Sequence, residues 1–437
     1  MPVLFIRYNH CIMLSKLFQQ SDIPKEYHSN FIHLYFDIAG FGVLSGSSIN
    51  FLSVYATRLG ATGLQVGMLG AVAATVSLMI AIPASHWIEK RHTARAVFSA
   101  SVYYRFGFLL WVFLPWIFTN QQQIWALIGI AFLMAIPYTP LSVGFNALFA
   151  ASVPTQYRAH VAGIRNVTLA LTFMTTSLLS GYLLKNIPFP IGYQVVFAIG
   201  FFGAAMSSLH LYFIKPLQAE PAATQIAPAS APVSQTKSSR SIFSVLRLDI
   251  WSTPFRNVLL ALFAFHFTHF LTAPLYPLFN VRVLRLNDNN IGIGTALYYL
   301  TMLIGSTQFR RIAHRFGNKN VTAMGVIGMA LYPFLLALSH EVWQFYGISF
   351  IGGFTWALVG GAYANYMLEH IPHDDLPAHL AWYNIILNFS ILASSLGGPA
   401  IADQIGLAPA LILFAILRIL AGAAILKWGE LQLPVLK

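Results

Sequence analysis

Gln218–Arg240 reads QAEPAATQIAPASAPVSQTKSSR, built from Pro, Ala, Ser, Thr and Gln with almost no large apolar side chain. Such a segment cannot bury enough apolar surface to offset the entropy of ordering it, so a flexible tether is expected over residues 215–255. On either side lies a hydrophobic block of roughly 180 residues. The chain is two apolar halves joined by a polar tether.

Composition names the solvent of those halves. Hydrophobic residues make up 57% of the chain and charged residues 9%, with a mean hydropathy of +0.66. A soluble domain carries about 25% charged residues, so this chain cannot cover a water-facing surface and is expected to be a polytopic membrane protein. One cysteine, Cys11, excludes an internal disulfide framework and a cysteine metal cluster. A formal charge of +12 is accounted for by basic loops facing anionic lipid headgroups, so no nucleic-acid partner is expected. No cleavable signal peptide is evident; residues 1–30 read as a cytoplasmic tail, and Met13 is an alternative start.

Windows of about 19 residues give six spans before the tether and six after. The first six lie near 31–57, 64–86, 96–118, 123–150, 161–184 and 189–214, the second six near 257–280, 291–311, 320–339, 343–368, 379–402 and 406–427. Continuous apolar runs of this length are helices, not barrel strands. The expected domains are therefore a six-helix bundle over 31–214, the tether, a second bundle over 256–430 and a tail over 431–437. With both termini placed inside, eighteen of the 25 Lys and Arg residues fall on the cytoplasmic side and four outside, which orients both termini and the tether to the cytoplasm.

The halves repeat each other. NFLSVYATRLGATGLQVG (Asn50–Gly67) has the layout of PLFNVRVLRLNDNNIGIG (Pro277–Gly294), pairing Arg58 with Arg285. Pro154 precedes Asn166 by 12 positions, as Pro372 precedes Asn384. Repeats of this kind place a substrate site between the halves, near the bilayer midplane. With these features the chain resembles the major facilitator superfamily from about residue 31 to 430. IAHRFGNKN (Ile312–Asn320) is similar to the family's Asp-Arg-x-Gly loop: Arg315, Gly317 and Lys319 match, and His314 takes the aspartate position. In the first half His86 takes that position, Glu89 the glycine position, and Lys90 and Arg91 match. The resemblance implies two pseudo-symmetric six-helix bundles, gating roles for these loops, and transport by rocking one bundle against the other.

Polar groups inside the spans are candidates for the chemistry, because hydrocarbon makes them costly. Asp37 is the one carboxylate well inside a span, roughly 9 Å from its start. It reads either as a proton-coupling or substrate-contacting acid, or as a member of a structural ion pair or a residue still reached by cytoplasmic water. Arg105 and Arg165 are its candidate partners. Arg165 opens a stripe with Thr168, Thr172 and Thr175 or Thr176, which reads as the lining of a central cavity or, alternatively, as a helix–helix contact held by hydroxyls. His266 and His269 stand at i and i+3 in span 7, continued by Tyr276 and Asn280. They read as a proton-titrating or substrate-bonding pair, or as plain interhelical hydrogen bonding, and not as a metal site. Asn384, Asn388 and Ser395 in span 11, and Thr139, Ser142 and Asn146 in span 4, form further stripes. Prolines in IPYTP and SLGGP are candidate hinges. Arg418, midway along span 12, has no evident partner.

No phosphate loop, His-Glu-x-x-His, paired-Cys motif or Gly-x-Ser-x-Gly elbow occurs. The expected function is thus a secondary transporter of a small organic solute, coupled to protons, with no enzyme activity and no cofactor, acting as a monomer in the cell membrane. The alternatives are an uncoupled facilitator and a non-transporting sensor on the same fold. Few acids against several cations lean toward an anionic or neutral solute.

Overall fold

The computed structural model describes residues 24–217, 247–372 and 375–429. Cys11, Met13, most of the tether and the expected C-terminal tail lie outside the described residues. Among the described residues, all regular structure is helical. Twelve helices follow in order: α1 (Tyr27–Arg58), α2 (Gly63–Glu89), α3 (Thr93–Ile117), α4 (Asn120–Ser152), α5 (Thr155–Asn186), α6 (Ile191–Phe213), α7 (Phe255–Val283), α8 (Asp288–Phe316), α9 (Asn318–Ala337), α10 (Val342–Leu368), α11 (Leu376–Ile405) and α12 (Leu407–Trp428). Eleven of these are long and apolar enough to cross a membrane. The exception is α8: its 29 residues are ample for about 30 Å of hydrocarbon, but STQFRRIAHRF (306–316) gives it a polar end.

Start signals are local and legible. Thr62 caps α2 by a reciprocal pair with Gln65, the N3 amide donating to the Thr62 hydroxyl at 3.2 Å and the Thr62 amide to the Gln65 side chain at 2.8 Å. Asn287 caps α8 by accepting from the Asn290 amide at 2.8 Å. Gly317, at φ +75°, reverses the chain between α8 and α9, a backbone conformation that glycine adopts without strain.

The helices pack as two bundles with one plan. In the first, α1 packs on α5 and α6, α3 on α4 and α6, and α2 on α4; in the second, α7 packs on α11 and α12, α9 on α10 and α12, and α8 on α10. Small residues allow the closest crossings. A Cβ on Gly40 would stand 2.6 Å from the Gly203 carbonyl, so α1 and α6 meet backbone to backbone.

The helix interruptions differ from expectation. α4 and α11 run on as single helices past Pro137, Pro140 and Pro399, whereas the breaks fall in α1, α7 and α9. α1 contains a π turn at Ser45–Ile49. α7 breaks after Thr272 and ends in a π turn at Phe279–Val283, and α9 breaks at Ala330.

Those last two breaks account for Arg418. Its side chain is 1% exposed, with no carboxylate in ion-pair range among the described residues. Nη2 donates to the Thr268 carbonyl (2.8 Å), the His269 carbonyl (3.2 Å) and the Thr272 hydroxyl (2.7 Å), and Nη1 to the Met329 carbonyl (3.2 Å). Met329 precedes Pro333 by four positions, and proline has no N–H to offer that carbonyl. The guanidinium supplies the missing donors where two neighbouring helices break. Replacing it by methionine would orphan these acceptors at about 1–3 kcal/mol each. Arg418→Met is therefore expected to lower the unfolding midpoint of the detergent-solubilised protein by several degrees, and a midpoint unchanged within a degree would refute this role.

Candidate functional site

The two bundles meet along two seams, α5 on α8 and α2 on α11. The seams are copies of each other. A Cβ on Gly67 would stand 2.1 Å from the Ser395 carbonyl, and a Cβ on Gly292 2.6 Å from that of Ser177; Ser177 and Ser395 are related by the offset that relates Pro154 to Pro372. The next contacts are Gly181 against Asp288 and Gly63 against Pro399 and Asp403, with Phe173 stacked on Tyr299 at 3.9 Å between centroids. All of these lie toward the face where α1 ends and α2 begins, termed the far face; the tether leaves from the opposite, linker face.

A reciprocal clasp closes the far face. Arg58, at the end of α1, donates to Asp288 and to the Leu286 carbonyl, both at 2.8 Å. Arg282, near the end of α7, donates to the Ala61 carbonyl. Each bundle's arginine thus holds the other's hairpin turn.

Followed toward the linker face, the same helix faces come apart. On α5 the face carrying Phe173 and Ser177 continues to Asn166; on α8 the face carrying Gly292 and Tyr299 continues to Ser306 and Arg310. All three are exposed. On α11 the face carrying Ser395 continues through Asn388 to Asn384, both half-buried, each turning its amide to the carbonyl four residues earlier at 2.9 Å. These faces are thus tightly packed toward the far face and exposed or half-buried toward the linker face, and that looser end of the interface is termed the cleft.

Asp37 is not at the centre of that cleft. It is 3% exposed in the interior of the first bundle, where the Arg165 Nη1 lies 3.1 Å from Oδ2, the Arg105 Nη2 3.8 Å from Oδ1, and the Ser207 hydroxyl donates to Oδ1 at 2.5 Å. Arg165 also donates to the Leu34 carbonyl at 2.6 Å, and Arg105 to the Ser208 hydroxyl at 2.9 Å. Both arginines expected as partners thus stand beside Asp37, and two cations around one anion leave the cluster with a net positive charge. Arg165 lies over the Phe145 ring at 4.7 Å. Among the described residues its Nε and Nη2 meet no acceptor, although Arg165 is only 8% exposed.

The threonine stripe beyond Arg165 is a correction. A Cβ on Gly42 would overlap the Thr172 hydroxyl, and Gly46 sits against the Phe173 carbonyl and Thr176. The stripe therefore forms the α1–α5 seam and does not line the cleft. The Thr172 hydroxyl is turned to the Thr168 carbonyl at 2.8 Å, which is how a hydroxyl is satisfied where no water reaches. Thr168 falls on the far side of α5 from Asn166, by the same periodicity.

In the second bundle the two histidines meet different neighbours. The His266 Nε2 shares a hydrogen bond with the Tyr383 hydroxyl at 3.0 Å, while His269 stacks on Trp356 at 5.2 Å, its Nδ1 buried without a partner. Tyr383 follows Arg165 by the Pro154–Pro372 offset, so His266–Tyr383 is the neutral counterpart, between α7 and α11, of Asp37–Arg165 between α1 and α5. No cluster that could hold a metal occurs among the described residues. Tyr276 packs on Tyr332 at 4.9 Å, not toward the histidines. Asn280 is buried in the π turn of α7, its Oδ1 unpartnered. Asn146 is exposed near the linker end of α4. Tyr298, Tyr299 and Tyr332, which form an aromatic group with Tyr276, were not singled out in the sequence, since aromatic residues in a span read equally as lipid-facing ones.

The matched loops sit on the linker face. Arg91 covers Trp87 at 4.3 Å, Arg315 lies over Phe316, and His86 and Lys90 close the end of α2. Asn318, next to Gly317 and Lys319, donates to Glu369 at the end of α10 at 2.6 Å; a carboxylate does contact the second loop, from α10 instead of the position His314 holds. Where the chain re-enters from the tether, Arg247 forks to Asp249 at 2.9 Å and Asp375 at 2.7 Å. The guanidinium holds the Asp249 carboxyl below its usual range. This clasp is complete above about pH 4 and lost as pH falls through the lowered value.

Removing Asp37 would leave two buried guanidiniums uncompensated, which costs about 3–5 kcal/mol. Asp37→Ala is therefore expected to unfold at a clearly lower temperature. In a double-mutant cycle with Arg165→Met, the second substitution should recover about 1–3 kcal/mol; strict additivity would show that the pair is not energetically coupled.

Three comparisons bear on the fold and its family. The cis,cis-muconate transport protein of Acinetobacter baylyi is 26% identical over 236 residues, 53% of this chain and 54% of that protein, so the alignment spans about half the relative's length. A bacterial homologue of the iron transporter ferroportin, solved in an inward-facing state, superposes with a TM-score of 0.69 at 13% identity, covering 92% of this chain and 98% of that one. The nucleoside transporter NupG does so with a TM-score of 0.63 at 13% identity, covering 93% and 100%. The family model for the Major Facilitator Superfamily matches residues 37–287 and 258–434; with twelve helices in two like bundles, this chain is a multi-pass membrane protein belonging to that superfamily.

Proposed function

We propose that the protein is a secondary transporter that moves a small organic anion by alternating access, with the linker face cytoplasmic. The observation that carries this reading is the uneven seam: the bundles grip each other at the far face and part toward the linker face. A molecule held together at one end of a pseudo-two-fold interface can rock to expose the other end. The clasp of Arg58 with Asp288 and of Arg282 with Ala61 would have to open in that motion.

Charge supports an anionic solute. The Nε and Nη2 of Arg165, which meet no acceptor among the described residues, have the fork geometry that fits a carboxylate, and Asp37 is already shared between two cations. The relative named for cis,cis-muconate, a dicarboxylate, adds weight. Coupling to protons follows from competition. A substrate carboxylate that draws Arg165 away leaves Asp37 short of counter-charge in a dry site, where a carboxylate takes up a proton. Loss of the solute restores the ion pair and releases the proton. The bundle surfaces offer no nucleotide loop, so an ion gradient is the natural energy source.

Reconstitution in liposomes with an internal pH dye tests this. Small carboxylates, cis,cis-muconate among them, should drive inward proton movement in the wild type. Asp37→Asn should abolish the proton signal, and Arg165→Ala should abolish solute uptake by at least about tenfold. Uptake without proton movement would make the protein a facilitator. The absence of uptake across a broad panel would favour the sensor reading.

A further inference from the structure

We propose a second anion site, on the far face, distinct from the cleft and assembled from both bundles. A cavity of about 570 Å3 lies there between the end of α1, the α5–α6 turn and the α7–α8 turn. Its size is that of a small-ligand site. Three cations line it, Arg58 and Lys185 from the first bundle and Arg285 from the second, against one acid, Asp288. The acid is taken up by Arg58 at 2.8 Å, so among the described residues the Lys185 ammonium and the Arg285 guanidinium have no carboxylate partner. The Tyr193 hydroxyl, in a ring 2% exposed, lies beside the Arg58–Asp288 pair without a hydrogen bond of ordinary geometry.

The backbone at Arg285 points the same way. It sits at φ +51°, in the left-handed region, whereas the matching turn of the first bundle has Gly60 there at φ +94°. The two turns align through their caps, Thr62 with Asn287, so the second bundle holds a bulky cation where the first uses the residue that fits without strain. A strained cation at a cavity lip suggests a role other than turning the chain.

The ligand class is a compact anion bearing a carboxylate or phosphate, since the Lys185 ammonium and the Arg285 guanidinium stand together on the wall of a cavity of small-ligand size. Its walls come from both bundles, so an anion seated there bridges them and favours the state with the far face closed. The site exists only in that state. It would let solute on the far side act back on the transport cycle without entering the cleft.

The probe is succinate, with inorganic phosphate as a second anion, applied to the full chain in phosphatidylcholine nanodiscs. Acylation of lysines is followed by mass spectrometry, with exposed Lys90 on the linker face as internal control. The anions should slow modification of Lys185 several-fold and leave Lys90 unchanged. Arg285→Gly removes the charge and the strain together, so it should fold at least as stably and weaken the protection about tenfold in anion concentration. The central Arg165→Ala substitution should leave the protection intact, which separates this site from the cleft whether or not transport is observed. Protection seen only when the discs contain phosphatidylglycerol would identify a lipid headgroup as the source of the anion. Equal modification of Lys185 with and without anions in both kinds of disc, or protection undiminished in Arg285→Gly, would overturn the proposal.

Discussion

A bilayer offers no water to a polar group, so every N–H, carbonyl and charge that enters it must be satisfied from within the protein. Arg418 shows how far this constraint reaches. Two helices break beside it, one at a proline-bearing turn and one ahead of Pro333, and each break leaves carbonyls without their usual donors. One guanidinium answers both. The charge is tolerated because the carbonyl dipoles accept it, and the breaks are tolerated because the charge is there. Neither would be stable alone in hydrocarbon.

The same constraint shapes the first bundle. Asp37 is held by Arg165, Arg105 and Ser207, and Arg165 by Asp37 and a carbonyl of α1. A network of this kind fixes the crossing of α1, α3, α5 and α6 more specifically than apolar contact can. It leaves one guanidinium edge unused. The second bundle solves the corresponding crossing with a histidine and a tyrosine, and so without charge. Two bundles with one plan thus carry different chemistry in their interiors.

Between the bundles the packing is of another kind. Gly67 on Ser395 and Gly292 on Ser177 are close, dry and made of small residues, and they occur in equivalent places. Seams of this sort have shape without strong chemical bonding, so they can separate without stranding buried charges. The strong polar contacts between bundles, those of Arg58 and Arg282, lie at the far face.

The sequence by itself determined the class, the twelve helices and the two halves, because length and hydropathy of a span are local and the bilayer allows one backbone solution. It also paired Asp37 with the right arginines, since a buried carboxylate admits few partners. What it could not supply was azimuth. A threonine stripe next to Arg165 has the same periodicity whether it faces a cleft or a neighbouring helix, and only the approach of Gly42 and Gly46 showed that it is a seam. The repeat register was also two residues off: matched by sequence, Arg285 falls on Arg58, but the helix caps put it on Gly60. Arg418 had no partner in the sequence because its acceptors are backbone carbonyls, which every residue has and no pattern marks. Tertiary structure decided these, by choosing which of many identical carbonyls lose their donors and which face of each helix meets a neighbour.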